Sequence, residues 1–247
     1  MKKYGLIGKK LGHSWSKKWF DDMFQSQGIQ AQYSLYELPS LQGLRQWVAT
    51  ENLSGFNVTI PYKVEILPLL DLIDPAAQSI GAVNCVEVTG GLLIGHNTDA
   101  PAFAQTLCPL LEPWHTRALI LGTGGASKAV AHALRQLGIE YTLVSRTPLA
   151  HPHTIGYSQA LHEAAETYLI VNCTPVGMYP RCDASPWPST PHLGHKHLCY
   201  DLIYNPAQTL FLQQAQQCHA AIQGGLDMLH RQAQLSWEIW EQTRRVK

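Results

Sequence analysis

At 247 residues, 45% hydrophobic and 15% charged, the chain is long enough to bury a sizeable core and has few charges to spare. Its 18 basic residues balance 18 acidic ones, so no net field draws it to nucleic acid or an anionic membrane. Six cysteines without a C-x-x-C pair, and an N-terminus MKKYGLIGKK with no apolar run behind its lysines, read as reduced thiols in a cytoplasmic protein without a signal peptide.

In chain order, YGLIG opens as a strand, and KKWFDDMFQSQG follows as a helix with Trp19, Phe20, Met23 and Phe24 on one face and Gly28 as its stop. AQYSLYEL and GFNVTIP read as strands; the second alternates Phe56, Val58 and Ile60 with polar partners until Pro61 closes it. Just beyond stands Lys63, a strongly hydrated cation at a strand's end. CVEVTGGLLIGHN reads as a hairpin turning at Gly90 and Gly91.

The second half opens on RALILG, a short apolar strand, followed by a glycine turn and a helix. Ala126, Ala129, Val130, Ala133, Leu134 and Leu137 are spaced to pack one helix face on a sheet, and Gly138 ends the run. Further βα units around YTLVSRT, YLIVNCTPVG and LCYDLIY predict a parallel, doubly wound sheet. The last helix, LDMLHRQAQLSWEIWEQ, carries Leu229, Ala233, Trp237 and Trp240 on one stripe. His192, His195 and His197 near Cys199 lie in a proline-rich loop with no fourth ligand at helical spacing, so no metal is expected.

GTGGAS (122–127) sits between strand and helix, the setting a dinucleotide site requires. Gly122 permits the tight turn, Gly124 admits backbone to the pyrophosphate, and the helix N-terminus offers unpaired N–H groups. Ser127 stands where the third glycine of that motif usually falls. At the end of the next strand, Ser145, Arg146 and Thr147 include no acid; a guanidinium and two hydroxyls suit a 2′-phosphate, favouring NADP over NAD. In HSWS the hydroxyls of Ser14 and Ser16 face one way in extended chain. With a helix from Lys17, Ser16 is the expected N-cap, and the pair would seat a carboxylate.

HSWS, NVTIPYK, GAVNC, HNTDA, GTGGAS, SRT, NCTPVGM, DLIYNP and GGLDMLHRQA occur in this order over nearly the whole chain. The sequence resembles the shikimate dehydrogenase family, which interconverts 3-dehydroshikimate and shikimate with NADPH in aromatic amino acid synthesis. The resemblance implies an α/β fold of two domains with the active site in a cleft between them. An α/β substrate domain would take residues 1–99 completed by a helix over 226–247, and an NADP-binding Rossmann domain residues 100–225.

It implies Lys63 and Asp99 as the catalytic pair. Ser14, Ser16, Thr59, Asn84, Asp99, Gln232 and Tyr204 would join Lys63 around the substrate. Gly122, Thr123, Gly124, Gly125, Ala126, Ser145, Arg146, Thr147, Asn172, Thr174, Leu202 and Gly225 would line the cofactor. The protein would be a monomer or homodimer. Reducing a ketone builds negative charge on oxygen, and an ammonium beside a carboxylate supplies both charge and a route for the proton. Asn97 and Thr98 before Asp99, and the NVT run before Lys63, would add neutral donors and acceptors for a polyol.

Four departures qualify the resemblance. Lys17 and Lys18 follow HSWS where proline is usual; they oppose the helix dipole but would attract an anionic substrate. SRT replaces NRT, and Leu149 and Ala150 stand where a second basic residue is usual, which weakens the NADP clamp and leaves NAD possible. Cys85 replaces a threonine, and Asp227 the glycine before Met228. The rivals are a quinate/shikimate dehydrogenase using NAD or both cofactors, a non-catalytic polyol-acid sensor, and a folate-type dehydrogenase. The paired serines and HNTD disfavour the last.

Overall fold

The computed structural model describes residues 1–12, 14–148, 154–188 and 192–245. His13 of HSWS, and Leu149 and Ala150 beyond SRT, lie outside the described residues. The chain divides into two units, 1–101 with 230–247, and 102–229.

The first unit runs β1 (Lys2–Gly8), α1 (Trp15–Ser26), β2 (Ala31–Glu37), α2 (Leu44–Glu51), β3 (Leu53–Val58), α3 (Tyr62–Glu65), β4 (Leu72–Ile73), α4 (Pro75–Ile80), β5 (Cys85–Thr89) and β6 (Leu92–His96). Its sheet has the order β2-β1-β3-β5-β6-β4. β1 is parallel to both neighbours, whereas β3, β5 and β6 run antiparallel. Gly90 and Gly91 make the predicted hairpin turn at φ +58° and +82°, where two residues must both adopt positive φ.

Alternation along the strands gives this sheet two apolar faces. Ile7, Phe56, Val58 and Val86 pack with Leu44, Val48 and Tyr62 on one side. Tyr4 and Leu6 pack on the other with Phe20, Phe24, Tyr33, and Trp237 and Trp240 of the long helix over Leu226–Arg245. Tyr4 stacks on Trp240 at 4.8 Å, and Phe20 on Tyr33 at 4.2 Å. Gly55 leaves the room for that helix: a Cβ there would lie 2.5 Å from Trp240 Nε1, which donates to Val86 O at 3.0 Å.

The second unit carries α5 (Asp99–Leu107, which begins in the first), β7 (Arg117–Leu121), α6 (Gly125–Gln136), β8 (Glu140–Val144), β9 (Thr154–Ile155), α7 (Tyr157–Glu163), β10 (Leu169–Asn172), β11 (Leu198–Asp201), α8 (Leu210–Gln217) and β12 (Ala221–Gln223). The helix over Leu226–Arg245, α9, follows. All six strands are parallel, in the order β12-β11-β10-β7-β8-β9. Counted from β7 this is the doubly wound order, whose direction of winding reverses between β7 and β10. β10 and β11 are buried end to end, as strands covered on both faces must be.

The histidine-rich loop is used structurally. His197 accepts from Gly194 N through Nδ1 (3.0 Å) and donates from Nε2 to Ala164 O (2.8 Å), so a single neutral tautomer staples two loops.

Candidate active site

β3 stops where Thr59 N bonds Ile7 O and Tyr62 N bonds Thr59 O. That turn starts α3, one turn long, with Lys63 on it. Val83 N fixes its backbone by donating to Lys63 O at 2.8 Å. β6 ends at His96, and the Asn97 side chain takes over: Oδ1 accepts Ala100 N (3.0 Å) while Nδ2 donates to Ala82 O (2.9 Å). This sets Asp99 as the first residue of α5.

Lys63 Nζ then lies 2.6 Å from Asp99 Oδ2, with side chains 16% and 8% exposed. Asn84 Nδ2 donates to Asp99 Oδ1 and to Thr98 Oγ1, both at 2.9 Å, and Asn84 Oδ1 accepts Thr98 N at 2.7 Å. Each carboxylate oxygen therefore has its own donor, one of them cationic. In a site this dry such a pair is strong, and removing either member strands a charge.

Helix α1 begins at Trp15, two residues earlier than expected, and its N-cap is Ser14, whose Oγ accepts Ser16 N at 3.3 Å. Ser16 is buried inside the first turn instead of capping it. Both serines are good caps, and the one further upstream wins because Trp15 joins the helix. Lys17 and Lys18 add no free positive field: they pair with Asp21 and Asp22 one turn on, each at 2.6 Å, and Lys17 also donates to Tyr33 O.

The loop before Ser14 comes close to Thr59. A Cβ on Gly8 would meet Leu11 Cδ2 at 2.5 Å and Thr59 Cγ2 at 2.8 Å. Trp15 and His230 rings lie 5.6 Å apart, so the start of α1 meets α9 two residues before Gln232. Seven of the eight expected substrate residues thus belong to the first unit, and Tyr204 to the second. Burial raises the Tyr204 phenol above its ordinary pKa.

On the second unit, Gly122 turns the chain out of β7 at φ +105°, and a Cβ there would stand 3.0 Å from Thr174 Cγ2. Gly124 is the N-cap of α6, with open space where a Cβ would point; Thr123 lies between the two glycines, and Gly125 and Ala126 form the first turn. The glycines leave an edge of backbone open at the N-terminus of α6, at the reversal between β7 and β10, which suits a pyrophosphate.

Asn172 accepts Thr174 N (2.9 Å) and Thr174 Oγ1 (2.7 Å) and donates to Asp201 Oδ1 (2.9 Å). Leu202 N bonds Asn172 O, and a Cβ on Gly225 would sit 2.2 Å from Leu202 O. Asn172 therefore shapes this edge more than it faces it.

Ser145 Oγ accepts Thr147 N at 3.2 Å, while Arg146 and Thr147 are exposed. Arg146 lies close enough to Tyr157 to oppose the rise that burial imposes on its phenol. A guanidinium flanked by hydroxyls at the end of β8 fits a nucleotide bearing a 2′-phosphate. Asp227 is engaged by Gln223 Nε2 at 3.0 Å.

Asn57 of NVT and Asn97 and Thr98 of NTD serve the protein itself. Asn97 caps, and Asn57 and Thr98 are buried in bonds to Tyr33, Ser236 and Asn84. No sequence signal marks Tyr33 or Ser236, because both lie far along the chain from Asn57, which they share as a partner.

The family model for the shikimate dehydrogenase substrate binding domain matches residues 6–86. A shikimate dehydrogenase (NADP(+)) of Bacillus cereus is 35% identical over 261 residues, covering 96% of this chain and 91% of that protein. The chain belongs to the shikimate dehydrogenase family. The corresponding enzyme of Shouchella clausii is 37% identical over 97% of this chain and 92% of its own. The crystal structure of shikimate 5-dehydrogenase from Thermus thermophilus, in complex with NADP(H) and shikimate, superposes with a TM-score of 0.87 at 36% identity, over 97% of this chain and 93% of that one. Among the described residues no helix is long and apolar enough to cross a membrane, and no cluster of three His, Cys, Asp or Glu side chains is placed to hold a metal ion.

Proposed function

We propose that the chain catalyses the reversible, NADP-dependent reduction of 3-dehydroshikimate to shikimate, with Lys63 and Asp99 at the reacting carbonyl. The observation that carries this reading is the 2.6 Å Lys63–Asp99 pair, nearly dry and pinned by Asn84. Bound NADPH supplies the hydride. Lys63 puts an ammonium beside the oxygen where negative charge develops and donates the proton that neutralises it. Asp99 holds Nζ in place, and Asn84 holds Asp99. Ser14 and Ser16 take the substrate carboxylate, Thr59 and Gln232 the ring hydroxyls, and Tyr204 covers the carboxylate side. The relatives named for shikimate and NADP support the substrate and the cofactor. Six cysteines free of disulfides support a reducing, cytoplasmic setting; the active form is a monomer or homodimer.

The test is nicotinamide absorbance with purified protein, crossing shikimate and quinate with NADP and NAD. Turnover confined to shikimate with NADP is the expected result. Comparable turnover with quinate or NAD would move the assignment to the broader dehydrogenase. Binding without turnover would refute the enzymatic reading.

A further inference from the structure

A buried hydrogen-bond chain runs from Tyr33 to Asp99, and backbone groups fix its polarity at three points. Asn84 O only accepts, so Asn57 must turn Nδ2 toward it (3.2 Å); Oδ1 then faces Tyr33 Oη, which donates at 2.9 Å. Gln232 O only accepts, so Ser236 spends its one proton there, at 2.9 Å. Thr98 N only donates, so Asn84 turns Oδ1 toward it and Nδ2 toward Thr98 Oγ1 and Asp99 Oδ1.

The remaining contacts follow from these. Ser236 Oγ accepts Asn57 Nδ2 at 2.8 Å. At 3.2 Å from Thr98 Oγ1 it is again the acceptor, so the Thr98 hydroxyl donates to Ser236 and keeps its lone pairs for Asn84. The Cys85 thiol is a further, weak neighbour of Ser236. Tyr33, Asn57, Asn84, Thr98 and Ser236 are each at most 5% exposed, so water does not replace a lost partner.

We propose that Ser236, on the far side of the sheet from Lys63's own helix, is a positioning residue for catalysis: it takes the Thr98 proton, so that Thr98 Oγ1 presents a lone pair to Asn84 Nδ2 and the anchored amide keeps the Asp99 carboxylate aimed at Lys63. Without it the Thr98 proton turns toward Asn84 and Nδ2 loses the acceptor that anchors it, as it also does when the Thr98 hydroxyl itself is removed. The proposal rests on the reading of Lys63 and Asp99 as the catalytic pair. It also links that pair to the turn of α9 that carries Gln232.

The test compares pH profiles of kcat/KM for shikimate in the parent, Ser236→Ala, Ser236→Thr, Thr98→Val and the Ser236→Ala/Thr98→Val double variant, with Lys63→Ala alongside. Ser236→Ala and Thr98→Val should each lower kcat about tenfold, as loss of one buried hydrogen bond does. KM for NADP should stay put, and both should displace in one direction the limb that reports the coupled Lys63–Asp99 pair. The double variant should be no worse than the poorer single, and Ser236→Thr should restore the profile. Profiles that superpose on the parent, or single effects that multiply, overturn the proposal. If Ser236→Ala fails to fold, Thr98→Val decides by the same profile. Lys63→Ala keeping parental turnover would refute the catalytic pair itself; an inactive Lys63→Ala beside an unaltered Ser236→Ala refutes only the positioning role.

Discussion

Asp201→Asn should stabilise the second unit at neutral pH and flatten its pH dependence. The carboxyl stands at the end of β11 with no exposed surface. Burial pushes its pKa from 3.8 up to about 6, against hydrogen bonds from Asn172 Nδ2, Ile203 N and Thr209 Oγ1. An acid with a raised folded pKa binds its proton more tightly in the folded state, so its favourable contribution is complete below about pH 4 and is lost as pH climbs through 6. At about 1.4 kcal/mol per pKa unit, the ionised group costs about 3 kcal/mol above pH 7.

An amide of the same shape keeps one oxygen for Asn172 and Ile203 and turns its NH2 toward Thr209. Thr209 also caps α8 by accepting Leu212 N at 3.4 Å, so its own proton loses a partner, which takes back about 1 kcal/mol. The net gain at pH 7.5 is about 1–2 kcal/mol, or a Tm rise of roughly 3–6 °C for a chain of this length, with no gain at pH 4.5. Urea unfolding at pH 4.5, 6 and 7.5 measures both. A variant less stable than the parent at pH 7.5, with the parent's slope between 4.5 and 7, would show that the three donors outweigh burial and that the charge is favourable.

Lys63→Met should lower kcat/KM by about 10²–10⁴-fold with an unchanged circular dichroism spectrum; a loss under tenfold would remove Lys63 from the chemistry. Arg146→Ala should raise KM for NADP roughly 10–100-fold, the worth of one charge-assisted bond, and leave KM for NAD alone; initial rates with both cofactors decide it. Gly225→Ala would set a Cβ 2.2 Å from Leu202 O and 2.5 Å from its carbonyl carbon. Backbone has to yield there, at about 1–3 kcal/mol, so Tm should drop and KM for NADP rise. Calorimetry and kinetics matching the parent would show that the connection relaxes freely.

What the sequence discloses follows the strength of the local signal. The Gly90–Gly91 hairpin, the glycine turn into α6 and the buried strands β7 and β10 each carry a period or a demanded φ, and they are legible. Helix α5 is not: DAPAFAQTL is apolar almost all round, with Pro101 near its start, so no stripe announces it. Strands β4, β9 and β12 are two or three residues long, too short to show alternation. Lys63, Asp99 and Asn84 lie in motifs that can be read, but their bonding cannot. Asn57 meets Ser236 across 179 residues of chain, and neither residue type advertises burial. The N-cap of α1 escapes sequence reasoning for a simpler reason: two good caps flank one tryptophan, and only packing chooses between them.

The departures from the family pattern fall unevenly across the molecule. Lys17 and Lys18 are neutralised by their own helix. Cys85 is buried, its thiol pushed up to about 12 by that burial, and it borders Ser236 without displacing the bonds that Ser236 makes to Asn57 and Gln232. Asp227 is taken up by Gln223. None of these replaces a bond of the Lys63–Asp99–Asn84 contact, whose distances are those of a tight charge-assisted pair. The substitution at SRT is different in kind. Ser145 Oγ accepts Thr147 N and keeps its own proton to donate, so on the proposed reading that hydroxyl and Arg146 would meet a 2′-phosphate, and Arg146 would be the charged partner among the described residues of the turn. One such contact is worth about 1.5–3 kcal/mol, enough to favour NADP and too little to exclude NAD absolutely. Arg146 at the end of β8 and the Lys63–Asp99 pair share no hydrogen bond among those described, so a substitution at Arg146 should change the cofactor constants and leave the Lys63–Asp99 contact in place.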